Sequence, residues 1–216
     1  MQEDEWAKRV LVRLPGIRKH DTWPALDRQP VGPDSGQRIH LVLVGFDSYA
    51  EALAIHAALV AHYPNYRPED AGPIRSRITI VSNEGEEWEA PFISRYKPLF
   101  DNSFWRSEED GGTNVRFHVP AWYGKRQEFT DIEWEFLHAD PEGSFVQGRL
   151  EAWAADPKEQ LTVAISGRSD AMNLRWLKHL PPSIFESQVP ILLRRKEPLS
   201  GLQGNVHLFG MAGAAP

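Results

Sequence analysis

The feature that most constrains the fold of this sequence is an alternation of apolar, strand-length segments with helix-length segments. The predicted strands are residues 39–44, 77–82, 132–139, 161–166 and 189–194, with 206–209 as a candidate sixth strand. Such alternation is typical of parallel strands joined by right-handed crossovers. The sequence therefore predicts an α/β fold with a doubly wound, mostly parallel, Rossmann-like sheet in the order 3-2-1-4-5 and helices on both faces.

The helical segments are recognised by apolar residues that recur every three or four positions. The predicted helices are 48–63, 84–96 with a break near Pro91, 142–154 and 169–180. The first of them carries small residues on its apolar face, which lets a helix lie close to a sheet. The last begins with a serine-aspartate pair, a pattern typical of a helix start.

Proline and glycine distribution divides the chain into parts. We expect an N-terminal helix and proline-rich arm over 1–37, with Trp23 and Leu26 as anchors, a Rossmann-like domain over 38–210, and a flexible tail over 211–216. The tail also reads like the cut edge of a longer protein.

Residues 97–131 do not fit the alternation and are interpreted as an insertion before the third predicted strand. A short strand is expected at 115–119. Three roles stay open for the insertion: a lid, an oligomer contact or a surface loop.

Composition limits the classes of function. The chain has no cysteine, which excludes disulfides and thiol catalysis and fits a cytoplasmic protein, and its net charge of -6 argues against broad nucleic-acid binding. The basic triplet from Arg194 to Lys196 is interpreted as a solvated strand end. No segment reaches the roughly 18 apolar residues of a membrane helix, so no membrane insertion is expected for this segment.

The first predicted strand runs into the first predicted helix through a single glycine. Dinucleotide-binding turns follow G-x-G-x-x-G, in which the second glycine lets the backbone approach the pyrophosphate. The three positions here are Gly45, Asp47 and Ala50. The Asp47 carboxylate would stand where phosphate oxygens sit and would repel them, and it also suits a helix cap. A nucleotide-binding turn and a structural cap in an empty turn both stay open.

A dinucleotide site also needs an acidic residue for the ribose after the second strand. Ser82, Asn83 and Glu84 are the candidates there. Each is also explained as a polar residue at a strand end, and none matches the expected acid closely.

Four segments in the same order resemble TrkA-N (KTN/RCK) domains: "VLVGFDSYAEALA", "ITIVS", "EWEFLHADPE" and "VAISGRSDAMNL". Members of that family are Rossmann domains that regulate bacterial potassium transport and bind NAD(H), ATP or ADP. The resemblance implies a non-enzymatic regulatory module that senses NAD or an adenine nucleotide, as part of a larger protein or assembly. It implies a nucleotide cleft lined by Gly45, Phe46, Asp47, Ser48, Ser82, Asn83, Asp140 and Ser166.

Two further functions stay open besides nucleotide sensing. An NAD(P)-dependent oxidoreductase would use residues 97–131 as a substrate pocket, with Tyr123 or Lys125 as proton donor. A degenerate, ligand-free interaction module would have its cleft filled by the side chain of Asp47 or Tyr49. A homodimer through outer helices is expected for a regulatory module.

Histidines and acidic residues give no metal-site pattern. His40 and His138 lie in predicted strands and are interpreted as core histidines with satisfied hydrogen bonds. The cluster from Glu84 to Glu89 could hold a metal, but a solvated helix start is the preferred interpretation.

Overall fold

The structure is a computed structural model that describes residues 3, 26–83, 88–121, 131–197, 201–202 and 204–210. Among these residues, eight strands form one sheet: β1 (Arg38–Val44), β2 (Ser76–Ser82), β3 (Phe104–Glu109), β4 (Thr113–His118), β5 (Ile132–His138), β6 (Glu159–Ile165), β7 (Ile191–Arg194) and β8 (Val206–Phe209). Their order across the sheet is β4-β3-β5-β2-β1-β6-β7-β8.

The predicted doubly wound sheet is confirmed. Strands β5, β2, β1, β6 and β7 are the third, second, first, fourth and fifth predicted strands, and β8 is the sixth. All neighbouring strands are parallel except the β3–β4 pair, which is antiparallel. From β1 the chain adds strands on one side of the sheet, and from β6 it adds them on the other side, so the strand order reverses between these two strands. Folds of this kind open a crevice at that point, at the carboxyl ends of the strands.

Within residues 26–210, the described segments that connect the strands contain six α-helices: α1 (Ser48–Val60), α2 (Glu89–Arg95), α3 (Lys97–Asp101), α4 (Ser144–Ala155), α5 (Asp170–His179) and α6 (Pro182–Glu186). The expected break near Pro91 is wrong, because α2 runs through this residue. Pro91 is in the first turn, where a missing N–H removes no helical hydrogen bond.

Two apolar layers cover the sheet. On one face Leu41, Leu43 and Ile80 pack with the alanine-rich side of α1 and with Phe92 of α2. On the other face the valines and leucines of the central strands pack against α4, α5 and α6. Ala50 of α1 is fully buried, as expected for a helix that lies close to the sheet.

The interpretation of 97–131 as a surface loop is wrong for the described part, because α3, β3 and β4 form regular structure there. The predicted short strand is confirmed as β4, while β3 was not predicted. The sequence of β3, FWRSEE, is too polar to show the apolar pattern by which the other strands are predicted. The carboxylate of Glu108 is buried and is paired with two arginines, Arg106 and Arg149 of α4.

Residues 26–37 wrap against the body of the domain. Leu26 is 2% exposed and belongs to the core of the α1 face. The Asn65 side chain donates to the carbonyl oxygens of Ser35 and Gln37 at 3.1 and 2.7 Å. Of the predicted N-terminal helix and arm, residues 1–2 and 4–25 lie outside the described residues, and these include the expected anchor Trp23. The predicted tail, 211–216, also lies outside them.

A line of polar side chains crosses the amino-terminal half of the sheet beneath α4. His40 and Thr79 are fully buried, with 2.8 Å between His40 Nε2 and Thr79 Oγ1. The Thr79 hydroxyl donates to Glu135 at 2.9 Å. His40 is therefore a core histidine as predicted, but only its Nε2 is hydrogen-bonded, since Nδ1 lies 3.2 Å from Glu159 without forming a hydrogen bond. Burial lowers the pKa of its imidazole.

Candidate functional site

The site begins at the turn between β1 and α1, where the only glycine of the expected motif makes the bend. Gly45 has φ of 86°, a left-handed conformation that a residue with a Cβ rarely adopts. Its N–H donates to the Val81 carbonyl at 2.8 Å, which ties the turn to β2. The turn thus has the shape that the sequence predicts.

The Asp47 carboxylate fills the amino-terminal end of α1. Its Oδ1 accepts from the amides of Tyr49 and Ala50, both at 3.0 Å, so Asp47 is the predicted helix cap. The Ser166 hydroxyl donates to the same oxygen at 2.7 Å, and Arg194 donates to Oδ2 at 2.7 Å. Four donors from three elements therefore converge on one carboxylate.

Arg194 supplies the cation of this site. Its side chain is 13% exposed, and its guanidinium also donates to the Gly167 carbonyl at 2.9 Å. The guanidinium carbon lies 4.5 Å from the centre of the Tyr49 ring, within cation–π range. The interpretation of Arg194 as a solvated residue is therefore wrong, and it is wrong for the buried Arg195 as well. Lys196 is exposed as expected.

Trp176 of α5 lies against the glycine turn. A Cβ built on Gly45 would be 2.5 Å from Cζ3 of this indole, and a Cβ built on Gly167 would be equally close to the same atom. The indole therefore occupies the space beside Gly45 and Gly167, where the crevice between the carboxyl ends of β1 and β6 would open.

Asn173 fixes the loop after β6 relative to β7. Its side chain is fully buried, accepts from the Gly167 amide at 2.7 Å and donates to the Arg194 carbonyl at 2.9 Å. Both polar ends of the amide are thus satisfied by backbone groups of the two loops that border the site. This bracing holds Ser166 and Arg194 in position around Asp47.

The other predicted ligand residues are placed around this turn. Asp47 and Ser166 are joined by the hydrogen bond described above, while Phe46 packs on Trp88 and Phe92, with ring centres 4.9 and 5.0 Å apart. Ser82 is buried at the end of β2. The remaining three are exposed, namely Ser48, Asn83 and Asp140.

A second polar cluster lies at the same edge of the sheet, around Glu89 at the start of α2. Glu89 is 3% exposed, so its interpretation as a solvated helix-start residue is wrong. Its Oε2 lies 2.5 Å from His138 Nε2, accepts from the Ser107 hydroxyl at 2.7 Å and accepts from Arg116 at 3.1 Å. His138 is therefore a satisfied core histidine, as predicted.

The ionic state of Glu89 follows from these partners. Burial acts to raise the pKa of the carboxyl, but the bonds from His138, Ser107 and Arg116 outweigh it and hold the pKa below its ordinary value. The order of groups differs from that of a nucleophilic triad, in which the histidine stands between carboxylate and hydroxyl. Here Ser107 and His138 both bond to the carboxylate, so the serine has no base.

Sequence reasoning missed Trp176 and Arg194 as residues of the site. Trp176 belongs to the apolar side of an amphipathic helix, and Arg194 ends a strand, so neither pattern indicates the turn.

The proposed proton donors Tyr123 and Lys125, and the ribose candidate Glu84, lie outside the described residues. Within the described parts of the chain no group of three potential metal ligands is found, and no helix is long and apolar enough to cross a membrane.

No protein-family model, curated protein or solved structure matches this chain. Its function is therefore inferred from the residues and geometry of the site.

Proposed function

We propose that this chain is a non-enzymatic, Rossmann-like regulatory module that acts through protein contacts and holds no nucleotide in its glycine turn. One observation carries the proposal: the Asp47 carboxylate accepts the hydrogen bonds that a phosphate would accept at this turn. The helix amides, the Ser166 hydroxyl and the Arg194 guanidinium all donate to it. The Asp47 carboxylate thus occupies the position at the amino-terminal end of α1 where a bound anion would otherwise lie.

Charge and space both disfavour a bound pyrophosphate. A phosphate oxygen placed 4 Å from Asp47 would be repelled by about 4 kcal/mol per unit charge at an effective dielectric constant near 20. The charge of Arg194 offsets part of this repulsion, but its guanidinium already donates hydrogen bonds to Asp47 and to the Gly167 carbonyl. The indole of Trp176 further fills the space beside Gly45.

The hydroxyl chemistry of the site supports a non-enzymatic role. Ser166 donates its hydroxyl proton to Asp47, whose carboxylate also accepts hydrogen bonds from the Tyr49 and Ala50 amides and from Arg194. Nucleophilic serines need a base that is free to accept their proton. Ser107 likewise donates to a carboxylate that is saturated with donors.

A second candidate is the nucleotide-sensing role that the TrkA-N resemblance implies, with NAD or an adenine nucleotide as ligand. The position of Arg194 favours it. If the Asp47 side chain rotated away, the guanidinium and the amino-terminal end of α1 would face the vacated position together. The ligand would have to supply the free energy for this rotation and for moving Trp176.

Thermal unfolding in the presence of NAD, NADH, ATP, ADP and AMP separates the two candidates. A ligand at about 100 times its dissociation constant stabilises a protein by about 2.7 kcal/mol, so binding produces a clear rise in Tm. We expect no rise for the wild type with any of the five at millimolar concentration. A saturable rise with one of them would contradict the proposal and establish nucleotide sensing.

A further inference from the structure

The direction of one buried hydrogen bond determines where the neutral imidazole of His40 carries its proton. The Thr79 hydroxyl has a single proton, which it donates to the Glu135 carboxylate at 2.9 Å. His40 Nε2 lies 2.8 Å from the same hydroxyl oxygen, so Nε2 must be the donor in that contact. The proton of the neutral ring is therefore on Nε2, and Nδ1 has a bare lone pair.

This lone pair faces a second hydrogen-bond acceptor. Nδ1 lies 3.2 Å from Oε2 of Glu159, and both atoms are buried without a hydrogen-bond partner among the described residues. Burial acts to raise the pKa of the Glu159 carboxyl, but His40, Arg38 and Arg77 outweigh it and hold the pKa below its ordinary value. Glu159 is therefore ionised at neutral pH and has no proton to donate. The two acceptors stand at a distance that one added proton would turn into a hydrogen bond.

The surroundings of this pair are balanced in charge. Trp153 of α4 covers the imidazole, with ring centres 4.7 Å apart, and His40 is fully buried. Charged groups face the pair from each element that packs on it, and they are Arg38 of β1, Arg77 of β2, Glu133 and Glu135 of β5, Glu159 of β6 and Arg149 of α4. Because these three arginines and three glutamates cancel, burial decides the protonation of His40. It lowers the pKa of the imidazole below 6.5, while Glu159 acts in the opposite direction.

We propose that His40 and Glu159 form a buried proton-binding site, which is unprotonated at neutral pH and takes up one proton from solvent in mild acid. The added proton lies on Nδ1 and bonds to Oε2 of Glu159, so an imidazolium–carboxylate pair then joins β1 to β6. The strand order reverses between these two strands, which places the site in the middle of the sheet. The inference goes beyond the proposed function, to which it adds a response to acid.

The burial of His40 sets the sign of this response. Since its folded pKa is below the ordinary value of 6.5, the unfolded chain binds the proton first as the pH falls. The contribution of His40 to the free energy of unfolding is therefore fully present above pH 6.5 and decreases as the pH falls below that value. The decrease ends once the folded pair has bound its own proton. Glu159 limits the loss, because its charge raises the proton affinity of the folded imidazole.

NMR of the full chain, labelled with ¹⁵N at histidine, tests the proton positions directly. The His40 signals are assigned through the contact of its ring with Trp153. At about pH 7.5 we expect a neutral ring with its proton on Nε2, and below pH 6.5 a second proton on Nδ1 while the protein is still folded. Three results would overturn the proposal: a neutral ring protonated on Nδ1, an imidazolium that persists at the higher pH, or no protonation of His40 before the protein unfolds.

Glu159→Gln distinguishes a proton-binding site from a pair that is merely packed together. Glutamine has the size of glutamate but no charge, and its amide can donate to the Nδ1 lone pair at any pH. We expect the proton affinity of His40 to fall by about tenfold or more, so that the ring stays neutral to a lower pH than in the wild type. The matched control is Glu151→Gln at an exposed residue of α4, which should leave the titration of His40 unchanged.

An unchanged His40 titration in Glu159→Gln, or an equal change in the two glutamine variants, would overturn the site. Circular dichroism of each variant confirms that a changed titration does not come from unfolding. These results would leave the proposed function intact, which only a nucleotide-dependent rise in Tm contradicts.

Discussion

The indole of Trp176 and the backbone of Gly45 are so close that any side chain at residue 45 would collide with the ring. A Cβ at this position would also lie 2.8 Å from the Ser166 carbonyl oxygen. Gly45 therefore has two reasons to be glycine: its positive φ and the packing of the turn against α5. Gly45 therefore makes the bend, as the first glycine of a dinucleotide-binding turn does, and it also makes room for Trp176.

Gly45→Ala should lower the free energy of unfolding by about 3 kcal/mol, since left-handed strain and overpacking each cost about 1–3 kcal/mol. Gly148→Ala is the control. Gly148 lies inside α4 with open space around it, so alanine should stabilise the protein by up to about 1 kcal/mol. Urea unfolding of both variants measures the difference. Equal effects would show that Trp176 does not pack on Gly45 as described.

Asp47→Ala should turn the internal anion site into an open one. The variant loses the helix cap and leaves Arg194 and Ser166 without their acceptor, so we expect a loss of about 2 kcal/mol in stability. Inorganic phosphate should then stabilise the variant, by about 1.4 kcal/mol at ten times its dissociation constant, and should not stabilise the wild type. Asp140→Ala, at an exposed residue of the same sheet edge, is the control. No phosphate effect on Asp47→Ala would contradict the anion-site interpretation.

Thr79→Val tests the buried line of polar groups under α4. The hydroxyl joins His40 to Glu135, so its removal takes the hydrogen-bond partner from two buried atoms, His40 Nε2 and Glu135 Oε2, and should cost about 1–3 kcal/mol. Thr162→Val is the matched control, since the buried hydroxyl of Thr162 has no hydrogen-bond partner among the described residues. Its replacement should be neutral or stabilising. A smaller loss for Thr79→Val than for Thr162→Val would refute the network.

The lowered pKa of Glu89 predicts that the free energy of unfolding decreases in acid. A carboxyl whose folded pKa is below its unfolded value contributes stability above the ordinary value of 4.5, and this contribution is lost as the pH falls toward the folded pKa. Glu89→Gln should lower stability at pH 7 by about 1–3 kcal/mol, because it removes the buried carboxylate that accepts hydrogen bonds from His138, Ser107 and Arg116. Its stability should also fall less steeply below pH 4.5 than that of the wild type. The exposed Glu151→Gln should keep the wild-type slope; identical slopes in all three proteins would contradict the assignment.

The sheet could be predicted because its central strands are apolar on both faces and are separated by helices with regular spacing. The order of β5, β2, β1, β6 and β7 then follows from the handedness and shortness of connections. Strand β3 could not be predicted in this way. Its Ser107 and Glu108 are buried beside partners from α2 and α4, and long-range pairs of this kind leave no local pattern in the sequence.

The candidate site was predictable only in part. The bend at Gly45 and the cap at Asp47 are local features that depend on neighbouring residues, and the sequence indicates both. Trp176 and Arg194 are each more than 100 residues from the turn along the chain. Their approach to it depends on how α5 and β7 pack against β6. No local pattern in the sequence indicates that these two side chains reach the turn, so the sequence leaves both interpretations of the turn open.

The most direct test of the closed turn is an NMR titration of the Trp176 indole N–H, assigned by comparison with Trp176→Phe. We predict that NAD and ATP leave this resonance unchanged up to about 5 mM, a concentration at which ligands of even modest affinity bind. A saturable shift of the Trp176 signal with either nucleotide would contradict the account, because it would show that the space beside Gly45 opens to a ligand.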